Sequence, residues 1–313
     1  MKSLIIGGAG FAGGYLIREL SSIGHEVHAT CLENENITEN CAVHNLDILD
    51  KESVCRLFGE ISPDIVYHLA AQSSVALSWK LPQMTAEVNI VGAINVLEAA
   101  RECGGDIKLV MIGSGEEYGC IGADSCPIKE SEPLDPNNIY AVTKAAQEMA
   151  AKVYARAYHM NIVMVRAFNH SGPQQSSAFV ISDFCRQIAA VECGLAPPEM
   201  LVGNLSAKRD FTDVRDIVRA YGLLAEKGVS GKVYNVGRGN AVSIQYILDT
   251  AISMSHSDIK VKRDPKRMRA SDIPVIEPDV SEIFRDTGWK AEISVERTIE
   301  DTLNYWRKNL KRS

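Results

Sequence analysis

The sequence lacks the features that mark membrane-spanning, nucleic-acid-binding and disulfide-stabilised proteins. None of its 313 residues lies in a run of roughly 20 apolar residues, the length that crosses a bilayer. The formal net charge is −7, whereas nucleic-acid and anionic-membrane surfaces need an excess of lysine and arginine. The eight cysteines are scattered, with no CxxC pair and no histidines at metal-ligand spacing. These absences predict reduced thiols, no metal site, and no nucleic-acid or membrane partner.

The N-terminus has only part of the pattern of a targeting segment. Lys2 is followed by apolar residues, but five glycines interrupt residues 1–17 and no cleavage-type site follows. With 46% apolar and 23% charged residues, the chain is predicted to be a cytoplasmic globular protein. Residues 260–269 are the exception in charge, because six of the ten side chains are basic. This segment is either a solvated loop or an anion clamp.

A glycine-rich segment, Gly8-Ala-Gly-Phe-Ala-Gly13, lies between an apolar run at residues 4–6 and an amphipathic stretch at residues 15–20. A strand, a tight turn and a helix in this order are typical of a dinucleotide-binding site, where the pyrophosphate lies on the free N–H groups of the helix. Glycine is needed because the turn takes backbone angles that other residues resist and because the chain approaches the pyrophosphate closely. The predicted cofactor contacts here are Gly7, Gly10, Phe11, Ala12 and Gly13.

Strand and helix patterns alternate along the first half of the chain. We therefore predict an α/β fold, a doubly wound parallel sheet (Rossmann) with a smaller mixed α/β substrate-binding lobe. The rhythm changes after Gly172-Pro173, yet residues 233–236 still have the pattern of a buried strand. The predicted dinucleotide-binding domain is residues 1–168 together with about 210–236, and the predicted lobe is residues 169–209 and 237–313. The predicted strands are 26–32, 43–46, 64–69, 107–112 and 162–166, and the predicted helices include 51–60, 84–103, 140–159 and 179–193.

Tyr140 and Lys144 are four residues apart in a helical pattern, which places the phenol and the ammonium on one face. A tyrosine normally loses its proton near pH 10, too high for acid–base work at neutral pH. We expect Lys144, together with an oxidised nicotinamide ring, to lower the pKa of Tyr140 toward the working range. The alternative is a surface pair without a catalytic role.

Two further candidates follow the strand at residues 107–112. The Ser114 hydroxyl is placed to hydrogen-bond a substrate carbonyl and to share a proton with Tyr140. Glu116 is a candidate general base. The alternatives are a turn-capping serine and a solvated loop carboxylate.

These residues, with the glycine loop, resemble the extended short-chain dehydrogenase/reductase family, and the resemblance extends over essentially the whole chain. Within that family the chain is similar to the GDP-sugar branch. The 4,6-dehydratases of this branch are resembled at residues 71–75, 168–170, 203–205 and 208–210. Its 4-keto-reductases are resembled at residues 113–119 and 209–216. The other segments that carry the family resemblance are residues 68–71 (HLAA), Asn89, 166–173 (RAFNHSGP) and 234–237 (YNVG).

The resemblance also implies roles for individual residues. Asp47 and Ile48 are the expected adenine contacts, and Lys144 is expected to donate to the nicotinamide ribose as well. Asn169, Arg209 and Arg269 are expected to hold the sugar diphosphate through charge-assisted hydrogen bonds. The remaining cofactor-site residues are Thr30, Leu69, Ala70, Ala71 and Phe168, and the remaining substrate-site residues are Ser73 and Val180.

Cofactor choice is left open at the end of the second predicted strand. Relatives that use NAD usually carry an aspartate there, and GDP-sugar relatives place an arginine nearby for a 2′-phosphate. This chain has Thr30-Cys-Leu-Glu33 instead. The cofactor is therefore NADP or NAD, and the family resemblance favours NADP.

The resemblance implies an enzyme that transfers hydride at C4 of a nucleotide-linked hexose. The first alternative is NAD(P)H-dependent reduction of the C4 ketone of a GDP-4-keto-6-deoxyhexose, giving a GDP-6-deoxyhexose of the GDP-rhamnose type. The second is GDP-mannose 4,6-dehydration, with Glu116 removing the C5 proton, and the third is 4-epimerisation of a nucleotide sugar. A silent dinucleotide-binding protein would not need Ser114, Tyr140 and Lys144. The helical stretches 84–103 and 140–159 resemble the pair that forms a homodimer interface in relatives.

Overall fold

The computed structural model describes residues 1–120, 126–267 and 273–311. Strands and helices alternate up to about residue 167, and shorter elements follow. The strands are β1 (Lys2–Ile6), β2 (Glu26–Cys31), β3 (Ala42–Asn45), β4 (Ile65–His68), β5 (Lys108–Ser114), β6 (Ile162–Ala167), β7 (His170–Ser171), β8 (Glu199–Val202), β9 (Lys208–Asp210), β10 (Thr212–Asp213), β11 (Val233–Val236), β12 (Ala241–Ser243), β13 (Lys260–Arg263) and β14 (Val275–Ile276). The helices are α1 (Phe11–Ser22), α2 (Lys51–Ile61), α3 (Val75–Lys80), α4 (Pro82–Ala86), α5 (Gly92–Cys103), α6 (Ile139–Ala157), α7 (Val180–Glu192), α8 (Val214–Lys227), α9 (Ile244–Ser253), α10 (Ser281–Thr287) and α11 (Val295–Leu310).

Seven of these strands form one sheet in the order β11-β6-β5-β4-β1-β2-β3, and every neighbouring pair is parallel. This confirms the predicted doubly wound α/β fold. The chain order reverses between β1 and β4, and ligands of such sheets bind outside the carboxyl ends of the strands at that point. The glycine segment follows β1 at this edge.

Both faces of the sheet are covered, as a parallel sheet requires. Because side chains alternate along a strand, Ile5 of β1 joins the core that packs against α1 and α8. Its neighbours Leu4 and Ile6 join the core on the other face, against α2 and α5. Strands β4 and β6 are buried along their whole length. The carboxyl edge is therefore the place where this sheet can offer side chains to a ligand.

A third core lies in the second half of the chain, where α7, α9 and α11 pack together with β8. Short sheets pair β9 with β12 and β14, β8 with β13, and β7 with β10. Strand β11 instead joins the large sheet, with Val233 opposite Met164 of β6. The division of the chain into two interleaved lobes remains a prediction.

Three local features differ from the sequence prediction. Helix α3 was not predicted; Ser74 caps it by accepting a hydrogen bond from the Leu77 N–H at 3.2 Å. The predicted helix at 84–103 starts earlier, at Pro82, and contains a π-helical turn over Glu87–Val91. Strand β5 continues to Ser114, because Ser114 pairs with Ala167 of β6. Within the described residues, no helix is both long and apolar enough to cross a membrane.

Candidate active site

The turn after β1 requires glycine at two positions. Gly7 has φ +90°, and a Cβ there would lie 2.6 Å from the Ala70 nitrogen. Gly13 lies in the first turn of α1, where a Cβ would come within 2.3 Å of the Gly8 carbonyl oxygen. Gly10 stands at the N-cap of α1 without a side-chain cap. The free N–H groups of this helix end are therefore left for another acceptor, as an anion site requires.

Residues of β2 and of the segment after β4 hold this turn. The Thr30 hydroxyl oxygen accepts a hydrogen bond from the Gly7 N–H at 3.1 Å, and the Thr30 carbonyl accepts from Gly8 at 2.8 Å. The N–H groups of Leu69 and Ala70 both donate to the Ile6 carbonyl. A cavity of about 440 Å³ opens over the turn. Its wall is formed by Gly8, Ala9, Gly10, Phe11, Gly14, Asn36, Thr38, Glu39, Gln174, Ser176 and Tyr305.

The two predicted adenine contacts follow β3. Asp47 is exposed, and its Oδ1 accepts a hydrogen bond from the Leu49 N–H at 2.9 Å. Ile48 is buried against α5, where a Cβ at Gly92 would lie 2.5 Å from Ile48 Cδ1. The Asn95 amide donates to the Ile48 carbonyl at 2.9 Å. The backbone at Ile48 is thus held in place by α5, while the Asp47 side chain is exposed to solvent.

The structure brings Ser114, Tyr140 and Glu116 together at the carboxyl end of β5. The Ser114 hydroxyl lies near enough to the Tyr140 phenol to lower its pKa as a hydrogen-bonding group. The Ser114 oxygen also accepts from the Glu116 N–H at 3.2 Å. Asn138 caps α6 through the Ala141 N–H and donates to Glu116 Oε2 at 3.1 Å. Asn138 thereby links the start of the helix that carries Tyr140 to the loop that carries Glu116.

The expected lowering of the Tyr140 pKa is not what this cleft produces. Burial raises the pKa of Tyr140, and the Ser114 hydrogen bond lowers it only in part, while Glu117 and Glu116 raise it further. The expectation was wrong because the Lys144 ammonium is engaged elsewhere. Its Nζ donates to the Ile112 carbonyl at 2.7 Å and to Gln147 Oε1 at 3.0 Å. Tyr140 is therefore protonated at neutral pH in this cleft, and burial lowers the pKa of Lys144 itself.

A pocket at the same end of β5 gathers four of the predicted site residues, namely Ser114, Glu116, Phe168 and Asn169. The Asn169 side chain is exposed, whereas Phe168 is buried with its ring against Gly115. Asp210 closes the pocket; its two oxygens accept from the N–H groups of Arg238 at 2.8 Å and Asn240 at 2.9 Å. The full wall is Ser114, Gly115, Glu116, Ala167, Phe168, Asn169, Asp210 and Ile276.

Of the other predicted substrate residues, Ser73, Val180 and Arg209 lie outside the walls of these two cavities. Ser73 is exposed in the loop before α3, and Val180 is the first residue of α7. The Arg209 Nη1 donates to the carbonyls of Lys208 at 2.8 Å and Ile273 at 2.7 Å. Arg269 is outside the described residues. Ala71 follows Ala70 and is half-buried.

Sequence reasoning missed several side chains that build the site. Asn138 had a signal, because asparagine directly before a helical pattern is a preferred N-cap. Asn89 was noted only as part of the family pattern; in the structure it is buried in the π-helical turn, where its amide donates to the Thr143 hydroxyl at 2.9 Å and its Oδ1 accepts from the Gln72 N–H at 2.8 Å. Glu117, buried beneath Ser114, had no signal, since it is one of two adjacent glutamates in a polar loop.

This arrangement is suited to proton exchange with an oxygen held between Ser114 and Tyr140, beside a turn that can cradle a diphosphate. A family model described as GDP-mannose 4,6 dehydratase matches residues 4–302. The chain is 32% identical over 268 residues to the GDP-6-deoxy-D-mannose reductase of Pseudomonas aeruginosa, covering 86% of this chain and 88% of that one. It is 28% identical over 340 residues to the GDP-mannose 4,6-dehydratase of Vibrio cholerae, covering 94% and 91%. The solved structure of RMD from Pseudomonas aeruginosa complexed with NADPH superimposes with a TM-score of 0.89 at 29% identity, covering 99% of this chain and 100% of that one.

Proposed function

The chain belongs to the GDP-mannose 4,6 dehydratase family, and from that premise we propose that it reduces the C4 ketone of a GDP-4-keto-6-deoxyhexose with NADPH or NADH. It is an enzyme of the extended short-chain dehydrogenase/reductase type. The observation that carries the proposal is the proximity of the Ser114 hydroxyl and the Tyr140 phenol at the carboxyl end of β5, in a cleft that also contains Glu116. The reductase from Pseudomonas aeruginosa among its relatives supports the same direction of reaction.

The residues after β1 fit a dinucleotide. Gly7 and Gly13 leave space that a Cβ would fill, and the N-terminus of α1 has no side-chain cap to compete with a pyrophosphate. Thr30, Leu69 and Ala70 hold the turn in this form. We assign the adenine end to Asp47 and Ile48, and the ribose to Lys144. When bound, the reduced nicotinamide supplies the hydride.

The chain's own residues then handle the proton. Tyr140, protonated at neutral pH, gives its proton to the C4 oxygen as the hydride reaches C4, so that the ketone becomes a hydroxyl. The Ser114 hydroxyl donates a hydrogen bond to the same oxygen and stabilises the negative charge that develops there. The fixed ammonium of Lys144 lies one helical turn away, and its positive charge favours the phenolate that remains after the transfer. We assign binding of the nucleotide sugar to Asn169, Arg209, Arg269, Ser73 and Val180.

The test is consumption of reductant. With GDP-4-keto-6-deoxy-mannose, the absorbance of NADPH or NADH should fall in proportion to the hydroxyl product formed. NADPH and NADH are both tested, because β2 is followed neither by the aspartate typical of NAD-dependent relatives nor by the arginine typical of GDP-sugar relatives. Absence of any fall with active substrate would exclude the reductase. Tyr140→Phe is the matched control, since it keeps the ring and removes the proton donor.

One observation favours a second candidate, 4,6-dehydration of GDP-mannose. Glu116 lies in the same pocket as Ser114 and is held by Asn138, where a general base for the C5 proton is needed. In that reaction Tyr140 takes the C4 hydroxyl proton and Glu116 takes the C5 proton, and water leaves from C6. The hydride passes from C4 to the bound oxidised nicotinamide and returns at C6, with no net consumption of cofactor. Formation of a 4-keto product from GDP-mannose without added reductant would select this candidate.

We also propose a homodimer formed through α5 and α6. Val91, which directly precedes α5, and Val142, Met149 and Val153 of α6 are each between 45% and 57% exposed, and a partner copy would cover this apolar surface. Light scattering should give twice the chain mass. Met149→Glu with Val153→Glu should give the monomer mass, whereas Phe284→Glu, at an exposed residue of α10, should not. A monomeric mass for the unmodified protein would contradict the proposal.

A further inference from the structure

Directly behind Ser114 lies a buried carboxyl group that the proposed reaction does not use. Glu117 is completely shielded from solvent, and its Oε1 accepts a hydrogen bond from the Ser114 N–H at 2.7 Å. Ser114 in turn accepts from the Glu116 N–H, so the end of β5 and the turn Gly115–Tyr118 are tied together from both sides. Burying a carboxyl group is costly unless its bonds compensate. The position of this costly buried group under the candidate catalytic hydroxyl therefore indicates a role in the site.

The backbone of β5 makes room for this carboxyl group. A Cβ on Gly113 would lie 2.4 Å from Glu117 Oε1 and 2.7 Å from the carbonyl oxygen of Val165. Any other residue at position 113 would have to displace the carboxylate or the neighbouring strand β6. Gly113 and Glu117 thus fit each other, and the bond to Ser114 depends on both.

The Glu117 carboxyl group has no cationic partner within hydrogen-bond distance among the described residues. The nearest cation, Arg166 of β6, makes its short bonds to Glu148, at 2.7 and 2.8 Å, and its Nε is 3.9 Å from Glu117 Oε2. Glu117 Oε2 has no hydrogen-bond partner among the described residues. From α6, Lys144 and Glu148 also act on it, with opposite signs.

The proton on Glu117 and the charge of the site are linked. Burial, followed by the repulsion of Glu148, raises the pKa of Glu117 well above its usual range, while the Ser114 N–H, Arg166 and Lys144 lower it. Because its pKa is raised to about 8, Glu117 is mostly protonated at neutral pH and acts on Ser114 as an uncharged hydrogen-bond acceptor.

We propose that Glu117 is a positioning residue for the reduction: it holds Ser114 by the backbone N–H so that the hydroxyl meets the C4 oxygen. This inference rests on the proposed function. Loss of the acceptor should lower kcat with little change in KM, because the Ser114 contact strengthens only in the transition state. An uncharged acceptor at the same position should restore kcat.

Two substitutions test the acceptor role. Glu117→Gln keeps an oxygen that can accept from the Ser114 N–H, so kcat should stay within about threefold. Glu117→Leu removes the acceptor, so kcat should fall about tenfold or more with KM nearly unchanged. In the Ser114→Ala background, Glu117→Leu should cost little more, because its effect acts through that serine.

The experiment measures kcat and KM of reductant consumption for the unmodified protein, Glu117→Gln, Glu117→Leu, Ser114→Ala and the Ser114→Ala/Glu117→Leu double variant, with thermal unfolding of each. If the unmodified protein consumes no reductant, the proposed function fails. If it is active but Glu117→Leu keeps its kcat, the positioning role fails alone. The role also fails if Glu117→Leu lowers kcat as much without Ser114 as with it, or if Glu117→Gln lowers kcat as much as Glu117→Leu. Should Glu117→Leu not fold, Glu117→Met, which has a similar length and only a weak acceptor, replaces it.

Discussion

Two glycines, each inside a helix, should respond in opposite directions when alanine replaces them, as measured by the free energy of unfolding. Gly13 lies in α1 and Gly59 in α2, so that alanine would favour the helix at both by about 0.5–1 kcal/mol. At Gly59 an added Cβ meets nothing within 4 Å. At Gly13 it would lie 2.3 Å from the Gly8 carbonyl oxygen and 2.8 Å from that of Gly7. Because both neighbours are backbone, the turn itself must move, at a cost of about 1–3 kcal/mol.

Gly59→Ala should therefore raise the free energy of unfolding by about 0.5–1 kcal/mol and leave cofactor affinity unchanged. Gly13→Ala should lower that free energy by up to about 2 kcal/mol, the packing cost less the helix gain. It should also weaken cofactor binding about tenfold or more, since each 1.4 kcal/mol of misplaced contact is a factor of ten. Equilibrium urea unfolding and fluorescence titration with NADPH and NADH measure the two quantities. Equal stability and affinity of the two variants would refute the account of the turn.

Three other outcomes are expected. Tyr140→Phe should keep cofactor binding in the fluorescence titration and lower turnover about 10²-fold or more; undiminished turnover would remove Tyr140 from the chemistry. Arg166→Met should lower the free energy of unfolding by about 3–5 kcal/mol, because it leaves Glu148 buried without its bidentate partner, and Arg166→Met/Glu148→Leu should recover much of the loss in urea unfolding. Burial raises the pKa of Asp210 to about 6, so its protonated form stabilises the fold below about pH 4 and this contribution is lost as the pH rises through 6. The difference in unfolding free energy between the unmodified protein and Asp210→Asn should fall by about 2 kcal/mol from pH 4 to pH 7; a rise would contradict the sign.

The parts of the site that local patterns encode could be predicted from the sequence. The strand, glycine turn and helix at the N-terminus are specified within twenty residues, and the structure shows the turn held as the pattern requires. The meeting of Ser114 with Tyr140 followed from the sheet order, because carboxyl ends of neighbouring parallel strands and the following helices share one edge. Only α3 and the π-helical turn were absent from the predicted elements before β5.

The electrostatics of the site could not be predicted in this way. Glu116 and Glu117 are adjacent and alike in sequence, yet one lines the pocket and the other is fully buried. Which of them enters the core depends on the space left by Gly113 against Val165, two residues that β5 and β6 bring together. The direction of the Tyr140 pKa likewise depends on burial and on Lys144 binding the Ile112 carbonyl, contacts that the spacing of Tyr140 and Lys144 does not contain.

The central claim is that hydride passes from the nicotinamide to C4 of a 4-keto hexose while Tyr140 supplies the proton. It is tested most directly by following deuterium from NADPH or NADH labelled at the transferable position of the ring, with GDP-4-keto-6-deoxy-mannose as substrate. The account predicts one deuterium on C4 of the product for each reductant oxidised, and none in the product of Tyr140→Phe beyond its residual turnover. Recovery of unlabelled product, or of deuterium at another carbon of the hexose, would contradict it.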